Sequence, residues 1–201
     1  MTTWTIAGCG PSLDWSTATP EGTLICVNRA IQGAPRCDFW CCIDYPNAEH
    51  SQCVEDARRT RPVVLTQRKR FRRWSAWESL ELRCQEEPAH DAKNWVQSQR
   101  RTKDKKKAGP RYSIMSAISW AVDQGAEELH FIGADLKGRG YHTGEPAREA
   151  KTPNKLRWKK RWTEGSNQEL DQIRRVYHSA TKRGIRIVGL PDHATCLPSE
   201  V

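Results

Sequence analysis

The stretch Trp4–Asp14, with the sequence WTIAGCGPSLD, decides the fold. It is typical of a short apolar strand that runs directly into a glycine turn, where Gly8 and Gly10 favour positive φ and let a ligand approach the backbone. Pro11 and Ser12 suit the first turn of a helix, because a missing N–H costs nothing there and a hydroxyl can cap a free one. Together these features predict a phosphate site, since backbone N–H groups and a helix dipole attract anions.

The glycine pattern alone is not a specific motif. No Gly-Lys-Ser/Thr follows it, so it is not a Walker loop, and Asp14 stands where the full G-x-G-x-x-G fingerprint has its third small residue. An ordinary tight turn between a strand and a helix therefore stays open as the alternative until other segments agree.

Length and charge indicate the class of protein. The 201 residues favour one domain, 1–201, with a central sheet and covering helices. The formal net charge of +9 favours polyanionic partners such as nucleic acid. No apolar run approaches the length of a membrane span, so no membrane partner is expected. The sequence does not predict the oligomeric state.

The eight cysteines give no sign of a metal site. No signal peptide precedes them, so we expect reduced thiols and a cytoplasmic location. No C-x-x-C pair is present, and small buried hydrophobic side chains are the better interpretation. No residue is assigned as a metal ligand.

Four short apolar runs in the first third of the chain predict strands of an open, mostly parallel α/β sheet. They lie in the stretches 4–7, 23–27, 38–44 and 62–66. Asn28 and Asp44 then stand at the carboxyl ends of the second and third strands. That is the edge of an α/β sheet at which ligands bind.

Residues 67–110 are predicted to be a basic insertion or mobile loop. Cationic runs at 68–73 and 100–107 flank it, with Phe71 and Trp74 near the first. A solvated face or disorder explains either run alone. Two runs around one segment with interleaved aromatic residues also fit contact with DNA.

Regular structure returns after the insertion. Apolar spacing predicts a helix capped by Ser113 and ended by Gly125, then a strand that ends at Asp135. A glycine-rich loop with Tyr141 and His142 follows, and such loops often carry catalytic groups. A second helix is predicted from Ser166 or Asn167 to about Lys182, before a last strand at 185–190.

These segments together resemble a known group of proteins. Residues 8–13 (GCGPSL), Val27–Asn28 and Ile43–Asp44 resemble, in order, the bacterial sialyltransferases with a GNGPSL-like start, together with phage-encoded proteins related to them and to archaeal hydroxymethylpterin diphosphokinases. Residues 112–118 and 125–135 resemble the second signature of that group. The resemblance covers roughly residues 1–48 and 109–197.

The resemblance implies a Rossmann-like, glycosyltransferase A-like fold that binds a nucleotide-sugar donor, with a UDP-sugar favoured here. The resemblance assigns donor binding to Gly8, Gly10, Pro11, Ser12 and Asn28. Further candidates for donor contacts are Cys9, Tyr112, Ser113 and Tyr141. Cys9 replaces the asparagine of the sialyltransferases, which argues against a cytidine-sialic acid donor. The histidine those enzymes place near the last helix has no counterpart at 162–164.

Three side chains are candidates for the base that deprotonates an acceptor hydroxyl: Asp135, His142 and Asp44. Each has a plainer alternative, since a strand-end carboxylate also caps a turn and a loop histidine is often merely exposed. Asp44, Asp135 and Asp192 also suit Mg²⁺ or Mn²⁺, but without a D-x-D motif the need for a metal ion stays open.

Three functions fit the sequence, in this order. The first is a glycosyltransferase whose acceptor is a hydroxymethylated pyrimidine in phage DNA, working in the host cytoplasm. The second is a Mg²⁺-dependent diphosphokinase that acts on a hydroxymethyl group. The third is a non-catalytic, basic DNA-binding protein on the same scaffold.

Overall fold

The computed structural model describes residues 1–42, 51–66, 84–86, 113–136, 143 and 168–195. Seven strands are present in these ranges: β1 (Thr3–Ala7), β2 (Thr23–Val27), β3 (Phe39–Cys41), β4 (Val63–Thr66), β5 (Cys84–Glu86), β6 (Glu128–Ile132) and β7 (Arg186–Val188). The helices are α1 (Ser51–Thr60), α2 (Ser113–Asp123), α3 (Gln168–Lys182) and α4 (Asp192–Thr195), with a 3-10 turn at Asn28–Ile31.

The strands form one sheet in the order β5-β4-β3-β2-β1-β6-β7, and every pairing is parallel. The predicted α/β, Rossmann-like fold with flanking helices is therefore confirmed. The chain builds outward from β1 to β5 and then returns to the other side of β1 to add β6 and β7. The point of reversal lies between β1 and β6, and ligands bind such sheets at that point, outside the carboxyl ends of the strands.

Helices cover both faces of the sheet. Trp4 and Ile6 of β1 pack with α2 and α3 in one core. Alternate residues point to the opposite face, where Cys26 and Trp40 pack with Cys53 of α1 in a second core. The strands β1, β2 and β3 are thus buried on both faces, as their nearly continuous apolar runs in the sequence predict.

The ends of α2 and α3 follow from their glycines. Gly125 has φ +84° and Gly184 has φ +80°, the left-handed region that favours glycine. After α2, the N–H groups of Gly125 and Ala126 donate to the carbonyls of Val122 and Ala121, which is a Schellman cap. The predicted end of this helix at Gly125 is confirmed.

The prediction that a helix follows β1 is wrong. Residues 11–17 form successive turns instead. Asp14 stabilises them, because its side chain accepts hydrogen bonds from Ser16 N (2.9 Å) and Ser16 Oγ (2.6 Å). Its carbonyl accepts from the N–H groups of Thr17 and Ala18. No helix dipole therefore points at the glycine turn from residue 11 onward.

The predicted insertion at 67–110 falls mostly outside the described residues. Its one described stretch forms β5 at the edge of the sheet, which the Cys-Gln-Glu sequence gave no reason to expect. The extent of the insertion and the single domain over 1–201 stay predictions. In the described ranges, no helix has the length and apolar character that a membrane crossing needs.

Candidate functional site

The glycine turn after β1 lies directly against the loop after β6. Gly8 N donates to the carbonyl of Ile132 (2.8 Å), and Gly10 N donates to that of Gly133 (2.9 Å). These bonds extend the pairing of β1 with β6 beyond the end of both strands. The turn is therefore fixed at the point of chain reversal, where a ligand is expected.

Gly8 and Gly10 are needed for a different reason from the predicted one. Neither has positive φ, so the expectation of a left-handed turn is wrong. A Cβ on Gly8 would lie 2.5 Å from the carbonyl oxygen of Gly133, and a Cβ on Gly10 would overlap Asp135 Oδ2. The missing side chains let the β1 turn and the β6 loop touch each other.

Asp135 is anchored by Ser12. Oδ2 of Asp135 accepts hydrogen bonds from Ser12 N (3.1 Å) and from Ser12 Oγ (2.8 Å). Within the described part of the chain, Oδ1 accepts no hydrogen bond, and the side chain is half-buried. Two residues that lie 123 positions apart thus form one unit, in which Ser12 fixes one of the two carboxylate oxygens.

The same contacts change how the turn is understood. The N–H groups of Gly8, Gly10 and Ser12 all bond within the chain. In this state they hold the β6 loop and Asp135 rather than present themselves to a phosphate. The assignment of the turn to donor binding stays a prediction.

A cleft of about 450 Å³ opens in front of Asp135. Its walls come from the turns after β1 and the ends of β6 and β7. Polar lining side chains are those of Ser12, Asp14, Thr17 and Asp135, and apolar ones include Leu13, Ile132, Leu190 and Pro191. The hydrogen bonds from Ser16 hold the pKa of Asp14 below its ordinary value, so it is a carboxylate at neutral pH. Carboxylates and hydroxyls beside apolar walls suit a ring that carries hydroxyl groups.

A second polar group lies at the end of β2. Asn28 has φ +50°, an uncommon conformation that asparagine tolerates better than most residues. Its carbonyl accepts from Trp40 Nε1 (2.8 Å), and its Oδ1 accepts from Ser113 Oγ (3.0 Å) at the start of α2. Because Oδ1 accepts from Ser113, the polar atoms left on the Asn28 side chain are the N–H donors of its amide group.

His193 also contacts the site, and the sequence analysis did not single it out as a functional residue. Its Nε2 lies 3.1 Å from the carbonyl oxygen of Asp135, and its own carbonyl accepts from Arg174 Nε (2.9 Å). Of the Asp-His pair at 192–193, only Asp192 was considered, as part of a metal site. No local pattern could show that residues 58 positions apart meet.

The structure brings the predicted site residues together in two groups at one edge of the sheet. The first contains Gly8, Gly10, Ser12 and Asp135, and the second contains Asn28 and Ser113. Cys9 is half-buried in the turn, Pro11 is exposed, and Asp192 is exposed on α4. Asp44, His142, Tyr112, Tyr141 and the cationic runs at 68–73 and 100–107 lie outside the described residues.

The described residues do not offer a metal site. Nowhere in the described ranges do three His, Cys, Asp or Glu side chains gather as metal ligands. Asp135 is engaged with Ser12, and Asp44 lies outside those ranges.

The fold is similar to that of a known glycosyltransferase. The chain matches a structure of the sialyltransferase CstII from Campylobacter jejuni in complex with a substrate analogue, CMP-3FNeuAc, with a TM-score of 0.50. The identity is 13%, and the match covers 96% of this chain and 82% of that chain. A structure of CST-II with a trisaccharide acceptor and CMP gives a TM-score of 0.47 at 12% identity, covering 98% and 89% of the two chains.

No protein-family model matches the chain, and no curated protein matches it by sequence. At 13% identity the likeness to CstII concerns the fold. The parallel sheet that carries Asp135 and Asn28 is therefore an architecture that this chain shares with a CMP-binding sialyltransferase structure.

Proposed function

We propose that this protein is a glycosyltransferase that moves a sugar from a nucleotide-sugar donor to an acceptor hydroxyl. The observation that carries the proposal is the anchored carboxylate of Asp135, which stands over a cleft at the reversal point of a parallel sheet. The fold shared with CstII supports the same class of reaction.

Asp135 is the general base of the proposed step. The acceptor hydroxyl gives its proton to Asp135 Oδ1 while its oxygen forms a bond to the anomeric carbon of the sugar. The bond from that carbon to the phosphate oxygen breaks, and the nucleotide leaves with the electron pair. Ser12 holds Oδ2, so the base is already oriented when the acceptor arrives. Asp44 and His142 remain the alternative bases.

The nucleotide is proposed to bind along the ends of β1 and β2. The Asn28 amide donates to acceptor groups of the base or ribose, and Ser113 fixes that amide. Ser113 also begins α2, whose N-terminal N–H groups favour a nearby phosphate. The glycine turn lies between the Asn28–Ser113 pair and Asp135, and its proposed donor contacts are Gly8, Cys9, Gly10, Pro11 and Ser12. Two further donor contacts, Tyr112 and Tyr141, are proposed from the sequence.

A thermal-shift screen of CMP-, UDP-, GDP- and dTDP-sugars tests the donor. A ligand at 100 times its Kd stabilises the folded state by about 2.7 kcal/mol, which raises Tm by roughly 5–10 °C in a chain of this size. UDP-sugars are the expected hit and CMP-sugars the alternative that the CstII complexes suggest. Asp135→Asn should keep the shift and abolish transfer, whereas the absence of a shift with every donor contradicts the proposal.

The finer proposal is that the acceptor is a hydroxymethylated pyrimidine in phage DNA. It is supported by the net charge of +9 and by the cationic sequences at 68–73 and 100–107. A base in a duplex must be flipped out of the stack to reach the Asp135 carboxylate in the cleft. DNA binding should weaken steeply with salt, and transfer should raise the mass of the modified nucleoside by one sugar residue.

The same assays separate the other two functions. Release of AMP from ATP with Mg²⁺ and a hydroxymethyl substrate would identify a diphosphokinase. Tight DNA binding without a thermal shift from any nucleotide would identify a DNA-binding protein on a transferase scaffold. Unmodified nucleosides across the whole donor panel would reject the DNA acceptor but leave a glycosyltransferase with another acceptor.

A further inference from the structure

We propose that His193 is a positioning residue that orients Asp135 for transfer. The inference rests on the proposed function, because it assigns His193 a role in the step that Asp135 carries out. It concerns a contact between the loop after β6 and the short helix α4 that follows β7.

The hydrogen bond fixes which ring nitrogen of His193 carries a proton. Nε2 lies 3.1 Å from the carbonyl oxygen of Asp135. A backbone carbonyl only accepts hydrogen bonds, so Nε2 must be the donor. The neutral ring is then the Nε2–H tautomer, and its orientation is set by the residue that carries the proposed base.

His193 is itself held in place from α3. Arg174 Nε donates to the carbonyl of His193 (2.9 Å), and Ala194 N donates to the carbonyl of Pro191 (2.8 Å). The loop after β7 also presses on β6, because a Cβ on Gly189 would overlap the carbonyl oxygen of Phe131. The imidazole therefore belongs to a segment that contacts α3 and β6 and is closed by its own turn bond.

Asp135 is consequently restrained at both ends. His193 holds its backbone carbonyl, and Ser12 holds carboxylate Oδ2. The Ser12 bonds restrict rotation of the carboxylate, and the His193 contact restrains the backbone that carries this side chain at the wall of the cleft. The segments that follow β1, β6 and β7 thus meet at Asp135. Loss of the His193 contact releases the backbone carbonyl of Asp135.

Three variants separate positioning from plain packing. His193→Gln keeps a side-chain N–H donor near the position of Nε2, whereas His193→Leu keeps the bulk and removes the donor. His178→Leu is the matched control, since His178 is a half-buried histidine on α3 whose described contact is with Tyr177.

Steady-state kinetics give the first readout. His193→Leu should lower kcat by roughly 10- to 100-fold, the range expected when a reacting group moves by about 1 Å. The Kd of the donor should change less than about twofold, because the interaction acts on the base and not on the nucleotide. His193→Gln should recover kcat to within about threefold of the native protein, and His178→Leu should leave it unchanged.

The second readout does not need activity. The Ser12 amide proton should resonate downfield in the native protein, because it donates to a carboxylate. It should shift upfield in His193→Leu toward its position in Asp135→Asn, and stay in place in His193→Gln. Long-range ¹H–¹⁵N spectra of the native protein should show the Nε2–H tautomer of His193.

The outcomes distinguish the two proposals. If no donor is transferred by the native protein, the proposed function fails, while the Ser12 resonance still decides whether His193 orients Asp135. An Nδ1–H tautomer, or a Ser12 resonance that is unchanged in His193→Leu, overturns the positioning role. Equal loss of kcat in the Gln and Leu variants also overturns it, because the N–H donor would then not matter.

Discussion

Replacement of Gly10 by alanine tests the contact on which the candidate site depends. The new Cβ would overlap Asp135 Oδ2 and would lie 2.8 Å from the carbonyl oxygen of Gly133. Both distances are too short for real atoms, so either the Asp135 carboxylate leaves Ser12 or the turn moves away from β6. Because φ of Gly10 is not positive, this cost is steric and not a matter of backbone conformation.

The size of the effect follows from the bonds that break. Two hydrogen bonds from Ser12 to a charged acceptor are lost, and each contributes about 1.5–3 kcal/mol at most in a protein. The group is partly exposed, so water replaces some of that energy. We expect the free energy of unfolding to fall by about 2–4 kcal/mol, which lowers Tm by roughly 5–15 °C.

Gly125→Ala is the matched control. Gly125 has φ +84° and no atom within 4 Å of the position of a Cβ, so its cost is only that of a left-handed alanine, about 1 kcal/mol. Urea unfolding should rank Gly10→Ala clearly below Gly125→Ala in stability. Transfer should fall by about 100-fold in Gly10→Ala alone, since Asp135 is displaced there.

A double-mutant cycle between Gly10→Ala and Asp135→Ala isolates the clash. With the carboxylate removed, the alanine at position 10 meets only the Gly133 carbonyl, so the two substitutions should couple by 1 kcal/mol or more. Additivity within about 0.5 kcal/mol, or equal losses in the two glycine variants, would refute the close approach of the turn to Asp135.

Three further outcomes are expected from separate regions. The His130 imidazole beside Glu128, and then the Arg186 guanidinium, hold the pKa of the Glu128 carboxyl below its ordinary value. This pair of contacts therefore stabilises the fold above the unfolded-state pKa and loses its effect as the pH falls through the folded-state pKa. Glu128→Gln should lower Tm near pH 7, and its difference from the native protein should vanish in strong acid; a constant difference would contradict the assignment. Burial raises the pKa of the Cys53 thiol to about 12, whereas Cys9 is half-exposed. Peptide mapping after brief alkylation at pH 8 should therefore find label on Cys9 and none on Cys53 until urea is added. Asn28→Asp keeps an acceptor for Ser113 and a residue that tolerates φ +50°, but it removes the amide donors. The variant should therefore fold normally and bind nucleotide at least tenfold more weakly in calorimetry, and unchanged affinity would exclude Asn28 from the donor site.

Local patterns in the sequence predicted the elements whose signals are local. β2 was predicted at 23–27 and α2 from Ser113 to Gly125, because an apolar run and a glycine cap act over a few residues. α1 was not predicted, since its inward face is built from Cys53, Asp56 and Ala57 and contains no large apolar side chain among them. α4 is only four residues long and has no pattern of its own.

In the candidate site, too, features with a local sequence signal were predicted and contacts between distant residues were not. The predicted glycine turn after β1 is confirmed, whereas β6 ends at Ile132 and Asp135 lies in the loop that follows it, not at the end of the strand. Their hydrogen bond was not predictable, because it joins residues 123 positions apart through the order of strands. The sequence analysis explained Gly8 and Gly10 by backbone conformation, whereas in the structure they let the turn approach the β6 loop. Only the packing of β1 against β6 distinguishes these two explanations.

Strand order also sets the distance between the two polar groups. Asn28 follows β2 and Asp135 follows β6, and β1 lies between these strands. At roughly 4.8 Å per strand, their backbones are about 10 Å apart along the edge of the sheet. A nucleotide sugar whose nucleoside contacts Asn28 would therefore cross the end of β1 and bring its sugar to Asp135. The surface in its path is the turn at Gly8–Gly10, where an added Cβ on either glycine would collide with the β6 loop. The two glycines therefore let the β6 loop and Asp135 approach the turn closely, and we propose that a donor of this length spans the distance from Asn28 to Asp135.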